Sequence, residues 1–121
     1  MAVRFRDLEV WQLAIVLAKH VYSITAGFPS SEKYGLVSQL RRAVVSISAN
    51  IAEGHARGTR RDYCHFVSIA LGSAREVDSL LALSVELGLV GNDKTAKTLQ
   101  LLDRICGMLF SLRAQLNKKA G

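Results

Sequence analysis

Glu53, His55, Cys64, His65 and Glu76 are the residues whose types and spacing are suited to chemistry. Glu53 and Glu76 would suit a paired-carboxylate site, and His55, Cys64 and His65 are the one group to weigh as metal ligands. Cys64 and His65 are adjacent, so on a helix their side chains diverge by about 100°. No metal-ligand spacing rule is met around them. The sequence has no glycine-rich phosphate loop, HExxH pair, CxxC pair or GxSxG elbow. No nucleophile accompanies the two glutamates. The expectation is therefore a protein with no catalytic residues, no metal and no cofactor.

The glutamates have a second, structural reading. Gln39, Arg42, Ser46, Asn50, Glu53 and Arg57 fall on one strip at helical spacing, while Ser73 and Glu76 sit inside an apolar flank of Ile69, Leu80, Leu83 and Leu87. A carboxylate among aliphatic side chains needs a counter-ion, because an unpaired buried charge is costly. Arg42 or Arg41 is the obvious candidate, with Asn50 or Ser46 filling remaining lone pairs. The expectation is a structural polar network of Arg41, Arg42, Ser46, Asn50, Glu53, Ser73 and Glu76 that fixes helix register or a subunit contact.

Positive charge is placed unevenly. The chain carries 16 Lys+Arg against 10 Asp+Glu, a formal net charge of +6. Nine of those cations and four of the acids lie in residues 1–61. The densest cluster is Arg57, Arg60 and Arg61 within one turn, with Lys118 and Lys119 as a second basic end. Arginines at a helix terminus suit phosphate, and these five residues are the candidate nucleic-acid contacts. No aromatic residue interleaves them in the sequence, so base stacking is not signalled.

The elements that must position these residues are helices. Val10, Ala14, Leu17, Val21, Ile24 and Phe28 recur three and four apart, and Leu8, Trp11, Ile15, Ala18 and Tyr22 form a parallel seam. Asp7 is a plausible N-cap for this helix, which Gly27 and Pro29 end. Ser30-Ser31-Glu32 can cap a second helix, with Val37, Leu40, Val44, Ile47 and Ile51 as its core seam and Gly54 to Gly58 as its end. Thr59 opens a third, carrying Tyr63, Phe66, Ala70, Ala74, Val77 and Leu81 and ending near Gly88. Gly91-Asn92-Asp93 starts a fourth, with Leu102, Ile105, Leu109, Leu112 and Leu116 inward. No stretch alternates at period two. Residues 1–121 are thus expected to form one all-α domain, an antiparallel up-down-up-down four-helix bundle. The small residues Val45, Ser48, Ala49, Ala52 and Ala56 leave the second helix without a plainly wet face, which points to oligomerisation.

Composition excludes other classes. At 121 residues, half of them hydrophobic and one a proline, the chain has a core and little disorder. The longest runs free of charge, His20–Ser31 and Tyr63–Ala74, are twelve residues, short of the ~20 that a membrane span needs. Charges at Arg4, Arg6, Asp7 and Glu9 argue against a signal peptide. Two cysteines, Cys64 and Cys106, form no disulfide framework and suit a reducing cytoplasm.

Four segments carry a resemblance: Phe5-Arg-Asp-Leu-Glu-Val-Trp11; Phe28-Pro29 with Glu32-Lys-Tyr-Gly-Leu36; Gln39-Leu-Arg-Arg-Ala-Val-Val-Ser46 with Asn50-Ile-Ala-Glu-Gly54; and Ala70-Leu-Gly-Ser-Ala-Arg-Glu76. Together they resemble the bacterial four helix bundle protein family, named for open reading frames in intervening sequences of 23S ribosomal RNA genes. The chain is also similar to the accessory variability protein of diversity-generating retroelements, a basic pentamer that binds nucleic acid and a reverse transcriptase. The resemblance implies a four-helix protomer assembling into a homopentameric barrel, with polar positions Arg42, Ser46, Asn50, Glu53, Gly54, Ser73 and Glu76. Ser48 stands where many relatives have proline, and Ala74 where leucine is common.

Two functions follow as expectations. The first is a non-enzymatic, cytoplasmic oligomer associated with ribosomal RNA or another structured nucleic acid. The alternative is a homopentameric scaffold for a protein partner such as a reverse transcriptase.

Overall fold

A computed structural model describes residues 3–120, and the side chains of Lys119 and Ala120 are not among those described. Four helices account for most of the chain: α1 (Glu9–Ala26), α2 (Leu36–His55), α3 (Arg60–Glu86) and α4 (Asn92–Ala120). Among the described residues there is no strand, and no helix is long and apolar enough to cross a membrane.

Each helix packs on its neighbours in the chain and α4 closes back on α1, whereas α1 and α3, like α2 and α4, stand diagonally apart. With connections this short, successive helices run antiparallel. The α2–α3 contact is the most extensive. One core draws on all four helices, with Leu17, Leu40, Val44, Ile47, Ile51, Val77, Leu81, Leu102, Ile105 and Leu109 fully or almost fully buried. These are the positions three and four apart that the sequence offers, so periodicity fixes the inward faces.

Helix starts depart from expectation at two places. Asp7 does not cap α1. It closes a 3-10 turn, Phe5–Asp7, and its carboxylate turns back to Arg4, accepting from the backbone N–H at 3.4 Å. The N-cap of α1 is Leu8, whose side chain cannot cap. Likewise Ser30–Glu32 form a 3-10 turn, and α2 begins only at Leu36. Glu32 still serves the helix from a distance, because its Oε1 accepts from the Leu36 N–H at 3.4 Å. Short hydrogen-bonded turns satisfy the same donors that a one-residue cap would.

The other termini follow their residues. The Thr59 hydroxyl accepts from the Asp62 N–H at 3.1 Å and opens α3. Gly88, with φ of 76°, closes it. The Leu89 N–H reaches the Ser84 carbonyl and the Gly88 N–H reaches that of Val85, both at 3.0 Å, a Schellman termination that needs the left-handed residue at Gly88.

Candidate nucleic-acid interface

The α2–α3 turn sits at one end of the bundle, where α4 also finishes. Cys64 in the second turn of α3 donates its thiol to Asn117 Oδ1 at 3.1 Å, which ties the last turns of α4 to this corner. A shallow hollow of about 310 Å³ here is lined by Arg57, Gly58, Thr59, Arg60, Tyr63 and Leu116. Arg57, Arg60, Arg61 and Lys118 are all exposed. The fold thus gathers four of the five expected cations at one end, and the Lys119 side chain lies outside the described residues. The antiparallel order brings the N-terminus to the same end, with Arg4 paired to Asp7 and Arg6 lying over the Phe5 and Trp11 rings.

Arg57 is not a free cation. It donates to Glu53 Oε1 at 2.6 Å, one helical turn earlier, and lies 4.7 Å from the centroid of the Phe66 ring. The exposed ion pair is worth little by itself. Together, however, carboxylate and ring hold the guanidinium in place. Arg60 and Arg61 occupy the first turn of α3, beside Asp62.

Aromatic residues do reach this corner, contrary to what the linear sequence signals. Tyr63 and His55 meet edge to face, with ring centroids 5.8 Å apart, beneath the turn that carries the arginines. Burial pushes the Tyr63 phenol above its ordinary range. The signal was present in the spacing, since Tyr63 follows Arg60 by three residues and shares its helix face.

The expected polar network divides into separate parts. Ser46 Oγ and Ser73 Oγ lie 2.9 Å apart across the α2–α3 contact, and Asn50 Nδ2 donates to both the Ser46 carbonyl and its hydroxyl. Arg41 turns the other way. Its guanidinium donates to Thr25 Oγ1 at 3.0 Å and to the Tyr22 carbonyl, over the Tyr22 ring. Glu53 is taken by Arg57.

Glu76 is the clearest correction, because it is exposed rather than buried. Its flank is open too: Ile69 is 39% exposed, Leu83 45% and Leu87 57%. The reason is architectural. α3 packs only against α2 and α4, which leaves a third side of that helix uncovered in the protomer. Arg42 and Glu76 line one open groove of about 520 Å³ with Tyr34, Ser38, Gln39, Ala43, Ser46 and Ser73. They form no ion pair with each other among the described residues.

The two glutamates are not brought together. Glu76 shares its groove with Arg42, and Glu53 lies eleven residues further along α2, about 16 Å at 1.5 Å per residue. Glycosidase-type carboxylate pairs stand about 5–9.5 Å apart. Cys64, His55 and His65 are likewise engaged separately, with Asn117, Tyr63 and Phe66. Among the described residues no three of His, Cys, Asp or Glu form a metal-sized group.

A comparison with curated proteins returned no match. Among solved structures, a protein of unknown function from the S23 ribosomal protein family of Bacteroides thetaiotaomicron has the same fold. Its TM-score is 0.77 at 21% identity, over 86% of this chain and 97% of that one. The sequence model of the 23S rRNA-intervening sequence proteins matches residues 6–111. A match that spans all four helices, from the turn before α1 into the second half of α4, shows that this chain belongs to the 23S rRNA-intervening sequence protein family.

Proposed function

We propose that this protein is a non-enzymatic, cytoplasmic oligomer that associates with nucleic acid, ribosomal RNA or another structured RNA or DNA, through its basic end. The observation that carries this reading is the gathering of Arg57, Arg60, Arg61 and Lys118 at one end of the bundle. The family name is in keeping with it. Contacts of this kind go to phosphate and position the ligand without reading bases.

Assembly into a homopentamer completes the reading. The uncovered α3 stripe of Ile69, Leu83 and Leu87 is apolar surface of the kind that a neighbour covers. Glu76 on that stripe and Arg42 across the groove offer opposite charges to a second copy. A ring would repeat the basic end around its axis, turning a modest cluster into a multivalent rim.

The test is a binding titration of structured RNA and duplex DNA over a range of salt. Counterion release predicts a log–log slope of about 0.7–0.9 per phosphate neutralised. Arg57→Glu, Arg60→Glu, Arg61→Glu combined should weaken binding and flatten the slope while the assembly stays intact. Unchanged binding by that assembled variant would refute the assigned end. No binding by the wild type at low salt would favour the second reading, a scaffold for a protein partner such as a reverse transcriptase. Phe110 on α4, 55% exposed, favours that alternative, because phosphate binding has no use for it.

A further inference from the structure

Far from the arginine end, the fold assembles a second basic cluster whose members are some 75 residues apart in the sequence. Lys19, His20, Ser23 and Ile24 of α1 face Lys94, Lys97 and Thr98 of α4 across a groove of about 310 Å³. Three of the chain's six lysines line it, and no arginine does. No carboxylate lines it either. Among the described residues none of these lysines has an acidic partner within ion-pair distance. The carboxylate that does join α1 to α4, Glu9, is already held by Arg104. Asp93 stands beside Lys94 in the chain but outside the groove lining.

The groove also has a fixed donor set. His20 Nδ1 lies 3.2 Å from Thr98 Oγ1, and Thr98 is only 2% exposed, so the imidazole is anchored against α4. Its Nε2 has no partner among the described residues, and it carries the donor proton when Nδ1 accepts from the Thr98 hydroxyl. Ser23 adds a hydroxyl.

We infer that this α1–α4 groove is a phosphate-group site, separate from the basic end. Ammonium groups bind phosphate oxygens as point charges, without the planar bidentate geometry by which arginine takes carboxylates and phosphates alike. An all-lysine cluster with hydroxyl and imidazole donors therefore fits a phosphate ester or phosphate ion. Lys97 and Lys118 lie twenty-one residues apart on α4, about 30 Å along the helix. One phosphate group cannot serve both places.

Phosphorus NMR linewidths and thermal melts with inorganic phosphate, against chloride at equal ionic strength, test this. Phosphate should broaden saturably and raise the melting temperature, as any ligand selective for the folded state does. Both effects are read in the background Arg57→Glu, Arg60→Glu, Arg61→Glu, which removes the phosphate contacts of the basic end, and adding Lys94→Glu, Lys97→Glu to it should abolish them. Lys94 lies in the first turn of α4, where an acidic residue suits the helix dipole, and Lys97 is exposed one turn on, so the reversed variant should fold. Lys94→Gln, Lys97→Gln is the substitute if it does not. An RNA hairpin identifies the source of the phosphate. If it competes for the groove in the arginine variant, the ligand is nucleic-acid backbone. If it does not, the ligand is a free phosphate compound. Phosphate effects equal to those of chloride, or retained without the two lysines, would overturn the assignment.

Discussion

A Cβ placed on Gly54 would lie 2.7 Å from Phe66 Cβ and 3.1 Å from Tyr63 Cδ1. Two effects then oppose each other in Gly54→Ala. Replacing a helical glycine ordinarily gains about 1 kcal/mol, whereas overpacking a tight contact costs about 1–3 kcal/mol. The obstacle is a Cβ fixed to the α3 backbone rather than a flexible tip, so the clash wins. Gly54→Ala should destabilise the protein in urea titrations, and Gly107→Ala, where nothing lies within 4 Å, should stabilise it by about 0.5–1 kcal/mol. This also explains why Gly54 lies inside α2 rather than ending it: the glycine permits the close approach of α3 beneath the arginine turn. Arg41 makes the second residue-scale prediction. It ties α2 to α1 through Thr25, the Tyr22 carbonyl and the Tyr22 ring. Arg41→Ala should cost about 1–2 kcal/mol in the same titration, and an unchanged midpoint would show the clamp to be idle.

At the scale of elements, the inward faces were legible and the outward ones were not. Leu40, Val44, Ile47 and Ile51 recur at 4, 3 and 4 and are buried, because helical periodicity alone decides which residues share a face. Thr59 was legible for a related reason, since a cap involves only its own first turn. The starts of α1 and α2 were not, because a 3-10 turn and a helix N-terminus draw on the same residues, Asp7 in one case and Ser30–Glu32 in the other. Glu76 was misread because neighbours in sequence do not reveal how many helices surround a flank. Glu76→Ala should leave the unfolding free energy of the protomer within about 0.5 kcal/mol, as for other exposed sites. Glu76→Arg, placing a cation opposite a neighbour's Arg42, should lower the mass measured by light scattering at micromolar concentration. A pronounced loss of protomer stability in Glu76→Ala would mean the side chain is paired within the chain after all.

At the scale of the molecule, the charge total was legible but its distribution was not. A net charge of +6 is read directly from the sequence, but a total does not say where on the molecule the charge lies. The arginine end is local in sequence and could be named. Of its aromatic underlay, Tyr63 was legible from its spacing to Arg60, whereas the meeting of Tyr63 with His55 and of Phe66 with Arg57 needed the α2–α3 packing, and the lysine groove needed α4 to close on α1. The proposed function has two halves, an assembled ring and a bound nucleic acid. Native mass spectrometry of the protein with a structured RNA, sprayed from low-salt buffer, addresses both halves at once. The expected result is a species of five chains with RNA bound, losing RNA but not subunits in the combined variant Arg57→Glu, Arg60→Glu, Arg61→Glu. A single chain under these conditions, or a ring that takes up no RNA, would contradict it.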